Sequence, residues 1–225
     1  MTATATKFLT EFEKLTPEEQ VLVRNQVISR MNNPMKYKLE KGTLTITGCD
    51  PKPTGDLIIP DAIDGFPVTN IGNSAFAGCI GLKSVKIPSS VILIGNGAFY
   101  RCSGLANVTL PSSLTEIGYA AFLGCTGLTS VIIPGNVTLI GAQAFTHCKA
   151  LTSVMIPDNV TSIGYEAFLG CSGLTDITIP EFSLTSIGES AFLGCTSLTA
   201  KNINADAKSI IEVLSQVSNR TVSSW

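Results

Sequence analysis

This chain holds few of the groups that usually carry chemistry. Its 225 residues include one histidine, His147, and only 14% of them are charged. Lys and Arg number 15 against 17 Asp and Glu, and the longest basic sprinkling is Lys36, Lys38 and Lys41, which reads as a solvated segment. A net charge of −2 argues against a dedicated nucleic-acid binder, which shows a basic face. No apolar run approaches the ~20 residues that span a bilayer, so no membrane insertion is expected. The first residues, MTATATKFLTEFEKLTPEEQ, carry Glu11, Glu13, Glu18 and Glu19 and lack the basic start and apolar stretch of a secretory signal. A cytoplasmic place and export by another route both stay open, and both ends read as finished, as in a complete small protein. The sequence has no G-x-S-x-G, H-E-x-x-H or P-loop, and no G-x-G-x-x-G between a strand and a helix. No enzyme activity and no cofactor are expected. Apolar residues, in contrast, make up 44%, which excludes a disordered chain.

That apolar content is periodic. IGNSAFAGCIGLKSVKIP (71–88) returns as IGNGAFYRCSGLANVTLP (94–111), IGYAAFLGCTGLTSVIIP (117–134), IGAQAFTHCKALTSVMIP (140–157) and IGYEAFLGCSGLTDITIP (163–180). A sixth copy, IGESAFLGCTSLTAKNIN (187–204), has lost its proline. Cysteines at 79, 102, 125, 148, 171 and 195 mark a spacing of 23 residues four times and then 24. A fixed period of this length is the signature of a solenoid, in which each unit buries its apolar face only by stacking on neighbours. Within I-G-x-x-A-F-x-x-C-x-x-L-x-x-V-x-I-P, the segment L-x-x-V-x-I alternates as a half-buried strand does. The proline cannot donate to a ladder and ends that strand. The glycine after the first Ile reads as a tight corner with an unusual backbone angle. The A-F pair reads as a short helical turn with Phe76, Phe99, Phe122, Phe145, Phe168 and Phe192 stacked inward.

This pattern resembles the BspA-type leucine-rich repeats. The resemblance runs over residues 40–204 and includes the lead-in GTLTITG and DLIIPDAIDGFPVTNIG (56–72). It implies a solenoid with a curved parallel β-sheet; with the short helical turns and the helical caps that the residues suggest at both ends, the expected fold is an α/β repeat solenoid of leucine-rich repeats. It also implies a non-catalytic binding role, typically adhesion at a microbial surface. An intracellular protein–protein scaffold is the other reading, favoured by free thiols and the missing signal.

Six of the seven cysteines fall at one repeat position. Stacked coils would point every thiol the same way, which is poor disulfide geometry. No C-x-x-C occurs, so zinc is not expected. The ladder cysteines read as small buried apolar residues, and Cys49 stands outside the register. His147 precedes Cys148, but neighbouring residues rarely aim together, and a catalytic pair there is disfavoured.

Binding would then use exposed positions that change between copies. Candidates on the outward columns of the strand are Lys83, Lys86, Asn107, Thr109, Ser130, Ile132, Ser153, Met155, Asp176 and Thr178. Ser and Thr also simply suit exposed strands. Ile132 and Met155 are the expected anchors, because adjacent exposed apolar groups mark interfaces. The ligand class is protein or glycan. A second candidate is the outer edge, where Tyr100, Leu123, Leu169 and Leu193 fill the first x of A-F-x-x-C and Tyr119 and Tyr165 follow the glycine; they form an apolar, aromatic ridge if they project, or pack against each other along the stack.

The ends differ from the middle. Residues 16–32 read as a helix with Thr16, Pro17 and Glu19 as start signals, and 4–14 as a weaker one. Together they give residues 1–37 as a helical hairpin or cap. Residues 38–67 read as lead-in strands, and 68–204 as six repeats. In the sixth, Lys201 takes the place of the buried Val, as if the core were ending. Residues 205–225 hold an amphipathic capping helix over 206–217, with Ile210, Ile211, Leu214 and Val217 inward.

Overall fold

The computed structural model describes residues 12–16, 35–180 and 183–204, together with Val213 and Ser215. The chain divides into two compact units, Met1–Met35 and Lys36–Trp225. In the first, Leu15 N donates to Phe12 O at 3.2 Å and closes a single turn. The expected helices over 4–14, 16–32 and 206–217 otherwise lie outside the described residues. Val213 and Ser215 are helical, and Val213, which the apolar stripe did not include, is fully buried.

The second unit is a parallel β-solenoid. Its lead-in comprises β1 (Met35–Glu40), β2 (Thr43–Cys49), β3 (Gly55–Ile58), β4 (Ala62–Ile63) and β5 (Phe66–Ile71). The repeats supply β6 (Leu82–Lys86), β7 (Leu93–Ile94), β8 (Asn107–Thr109), β9 (Glu116–Ile117), β10 (Ser130–Ile132) and β11 (Leu139–Ile140). They continue with β12 (Ser153–Met155), β13 (Ser162–Ile163), β14 (Asp176–Thr178), β15 (Ser186–Ile187) and β16 (Ile203–Asn204). The first ladder runs β1-β2-β5-β7-β9-β11-β13-β15, with β4 antiparallel on β5. The second runs β3-β6-β8-β10-β12-β14-β16. Each coil contributes one short strand to each ladder. Val85, Val108, Val131, Val154 and Ile177 align along the second and are buried. After the proline, a turn such as Pro134 O to Val137 N, at 3.1 Å, carries the chain back to the first ladder.

Between Gly and Cys the expected helical turn is replaced by something else. Ala75 N, Ala77 N and Cys79 N bond to Gly72 O, Ser74 O and Phe76 O, closing successive four-residue turns. Ser74 N, Phe76 N and Gly78 N instead donate to Asn96 O, Ala98 O and Tyr100 O of the next coil, at 2.7–2.9 Å. An α-helix uses its interior amides internally. Here alternate amides are handed to the neighbour, so the segment is a third, turn-built ladder. Positive φ at Ser74, Ala120, Gln143, Glu166 and Ser190 rotates the peptides to make this possible. The six phenylalanines are fully buried and stack at centroid separations of 5.2–5.4 Å, within 9° of parallel.

The glycine after Ile has a different reason from the one its position suggests. Gly118, Gly141 and Gly164 have no positive φ, but a Cβ on them would stand 2.4–2.7 Å from backbone atoms of the previous coil. Close approach selects glycine there. The unusual angle falls two residues later, mostly on residues other than glycine.

The sixth copy also corrects its own reading. Ile203, not Lys201, pairs with Ile177 and enters the core, and Asn204 pairs with Thr178. A 3-10 turn over Ala200–Asn202 absorbs the extra residues and leaves Lys201 exposed, so the buried column continues into the last described strand.

We expect Gly141→Ala to cost about 1–3 kcal/mol, because the methyl has only backbone to displace. Ser74→Gly, in contrast, relieves a left-handed residue and leaves stability unchanged or raised by up to ~1 kcal/mol. Urea denaturation of both variants measures the contrast.

Candidate binding surfaces

The second ladder presents two outward columns. One runs Asp56, Ser84, Asn107, Ser130, Ser153, Asp176, and the other Ile58, Lys86, Thr109, Ile132, Met155, Thr178, Asn204. The ten sequence candidates all lie on this ladder or its flank. Lys83, Lys86, Asn107, Thr109, Ser130, Ile132, Ser153, Met155 and Asp176 are exposed, and Thr178 is half-buried. Ile132 and Met155 are direct cross-strand partners, 80% and 63% exposed. Ile58, 70% exposed beside Lys86, was missed from sequence because 28 residues separate the two, not the repeat spacing.

Many of the hydroxyls are structural. Thr129, Thr152 and Thr175 donate from Oγ1 to Ala106 O, Thr129 O and Thr152 O, one coil back, at 3.1–3.3 Å. At the ladder's ends the carboxylates are held locally. Ser84 Oγ donates to Asp56 at 2.6 Å, and the single Thr175 hydroxyl proton is shared between Thr152 O and Asp176 Oδ2, which lies 2.7 Å away.

The turn edge carries a polar network instead of an apolar ridge. Tyr119 donates from its hydroxyl to Gln143 Oε1 at 2.6 Å, and Gln143 Nε2 to Glu166 Oε2 at 2.7 Å. The Tyr165 hydroxyl also donates to Glu166, which holds that carboxyl below its usual range and raises the phenol. Leu123, Leu169 and Leu193 are half-buried between coils.

The cysteine ladder is not a site. Cys102, Cys125, Cys148, Cys171 and Cys195 donate from Sγ to Phe76 O, Phe99 O, Phe122 O, Phe145 O and Phe168 O at 3.0–3.3 Å. Each phenylalanine carbonyl takes the amide of its own coil's cysteine and the thiol of the next. The position therefore needs a small apolar residue with one weak donor, which is cysteine. Burial pushes Cys125 up to about 12 and Cys148 well above its ordinary value. The adjacent thiols Cys79 and Cys195, then burial, raise Cys102 and Cys171. Cys79 alone is lowered, by the Cys102 thiol and then by Lys52. Cys148 is shifted the opposite way from a catalytic thiol, and His147 is exposed while Cys148 is buried. Among the described residues no group of three His, Cys, Asp or Glu could hold a metal, and no helix is long and apolar enough to cross a membrane.

Comparison with known proteins places this architecture. The BspA type leucine rich repeat region matches residues 69–199 in six copies. A leucine rich repeat protein of T. pallidum has a similar structure, with a TM-score of 0.68 and 30% identity over 80% of this chain and 93% of that one. A leucine rich cell surface protein of Faecalibacterium prausnitzii has a TM-score of 0.60 and 32% identity, covering 78% of this chain and 54% of that one. The pneumococcal vaccine antigen PcpA, 20% identical with a TM-score of 0.56, shares the fold. No curated protein matches the chain. The chain belongs to the BspA-type leucine-rich repeat proteins, repeat proteins that are generally not enzymes.

The thiol ladder makes stability depend on pH. Cys125 has a folded value above its unfolded one, so its contribution is complete below about pH 9 and is lost as pH rises toward 12. We expect urea midpoints to fall over that window, and Cys125→Ala to flatten the fall. Near neutrality the same variant should cost about 1–2 kcal/mol through the cavity and the lost donor.

Proposed function

We propose that this protein is a non-catalytic recognition module that binds a protein partner through the outward face of its second ladder, at a microbial cell surface. The observation that carries this reading is the pair Ile132 and Met155. Two large apolar side chains are in cross-strand register and mostly exposed, and their immediate neighbours on the face are Asn107, Thr109, Ser130, Ser153 and Thr178. Such a pair is an energetic centre around which polar contacts exclude water. Surface placement is supported by the similar structure described as a leucine rich cell surface protein. An intracellular scaffold is the second reading, favoured by the five thiols that must stay protonated to donate.

Two measurements separate these. Protease treatment of intact source cells should cut this protein while a cytosolic marker survives; protection until lysis contradicts the surface reading. Full-length protein should also bind at least one purified host serum or matrix protein. Ile132→Asp with Met155→Asp should weaken that binding at least ~10-fold, about 1.4 kcal/mol, with an unchanged melting temperature. Equal binding by the double variant would refute the assignment of this face.

A further inference from the structure

The turn edge holds a feature that the second ladder does not explain. The residue before each ladder cysteine has positive φ in all six coils: Gly78, Arg101, Gly124, His147, Gly170 and Gly194. Glycine suits that angle; Arg101 and His147 hold it against the steric preference of L-residues. They stand on either side of Gly124, whose missing side chain leaves a depression of about 500 Å³ between them. Lys149, Ser103, Thr126 and the half-buried Leu123 line it as well, and the exposed Ile80 adds an apolar wall. In a chain with more acidic than basic residues, no carboxylate lines this place. Glu166 acts on His147 electrostatically, but its carboxylate is held by Tyr165 and Gln143. Among the described residues neither Arg101 nor Lys149 makes an ion pair.

A second depression, of about 360 Å³, adjoins the first through Leu123. It brings Tyr100, Tyr119 and Asn96 to the edge. Tyr119 is 51% exposed, and the Arg101 guanidinium lies 5.1 Å from the Tyr100 ring centroid. Asn96 accepts the Tyr119 amide on Oδ1 at 3.0 Å, which leaves its NH2 group as a donor. Both depressions fall in the size range of small-ligand sites, ~300–1,000 Å³.

The backbone narrows the ligand class. Arg101 N, Gly124 N and His147 N already donate to Leu123 O, Thr146 O and Leu169 O. An extended peptide, whose affinity comes largely from main-chain hydrogen bonds, finds none of these donors open here. A ligand read by side chains alone fits better: apolar ring faces against tyrosine, hydroxyls against Ser, Thr and Asn, and an anion against Arg101 and Lys149. Those are the features of an acidic sugar. We propose that the turn edge around Gly124 binds a carboxylated or sulfated glycan, independently of the second ladder.

The test is fluorescence anisotropy of the full chain with four labelled probes: a heparin octasaccharide, an octagalacturonate, a neutral malto-octaose and an octa-aspartate peptide. At least one acidic glycan should bind, and the neutral sugar and the peptide at least ~10-fold more weakly; which acidic glycan binds identifies the anion. Arg101→Gly with Lys149→Thr installs residues that other coils carry at these positions, so the melting temperature should hold or rise. Affinity for the acidic glycan should fall at least ~10-fold, because two charge-assisted contacts are removed. Lys83→Thr with Lys86→Thr removes equal charge from the second ladder and should leave glycan affinity unchanged. Binding of none of the probes, equal binding of the peptide, or equal loss in both double variants would overturn the proposal.

Discussion

Every coil hands half of its turn amides to the next. In the first copy Ser74, Phe76 and Gly78 donate forward, while Ala75, Ala77 and Cys79 close turns within the coil. This division fixes most of what the chain must supply. Forward bonds of 2.7–2.9 Å require the coils to approach closely, so any Cβ on the glycine after Ile collides with the backbone below. The same approach sets the phenylalanine rings 5.2–5.4 Å apart, within the favourable range for stacked pairs. It also brings each cysteine within reach of the previous phenylalanine carbonyl. Glycine, phenylalanine and cysteine recur together because one spacing demands all three.

A stack held this way is indifferent to many of its surface positions. The core columns and forward amides carry stability, so the outward columns of the second ladder and the residues at the turn edge can vary from coil to coil. That separation is what suits the fold to recognition. The threonines that donate to the previous coil mark positions the scaffold keeps. Ile132, Met155, Arg101, His147 and Lys149 depart from the pattern of their columns without any such role.

Most of the solenoid was legible because its signals repeat. Six copies of one motif give the period, the inward phenylalanines, the buried Val column and the exposed candidates without structural help. The errors came where a local signal has two physical causes. Glycine marks either positive φ or close approach, and only the neighbouring coil's backbone decides. Tight turns and a short helix share the same residue types, and they differ in where alternate amides donate, which no single coil encodes. The sixth copy misled because its extra residues could be placed on either side of the strand, and burial of Ile203 over Lys201 resolves it. Ile58 escaped because the lead-in lacks the repeat spacing. On the candidate surface, strand alternation within the repeat showed which positions face outward and the period placed Ile132 beside Met155, as the register has them.

Native-state hydrogen exchange of the turn amides addresses the central claim most directly. If forward bonding makes the coils one cooperative stack, the amides of Phe99, Phe122 and Phe145 exchange slowly and with the same free energy as global unfolding. Exchange of these amides at coil-specific rates, or as fast as the exposed loops, would contradict that account.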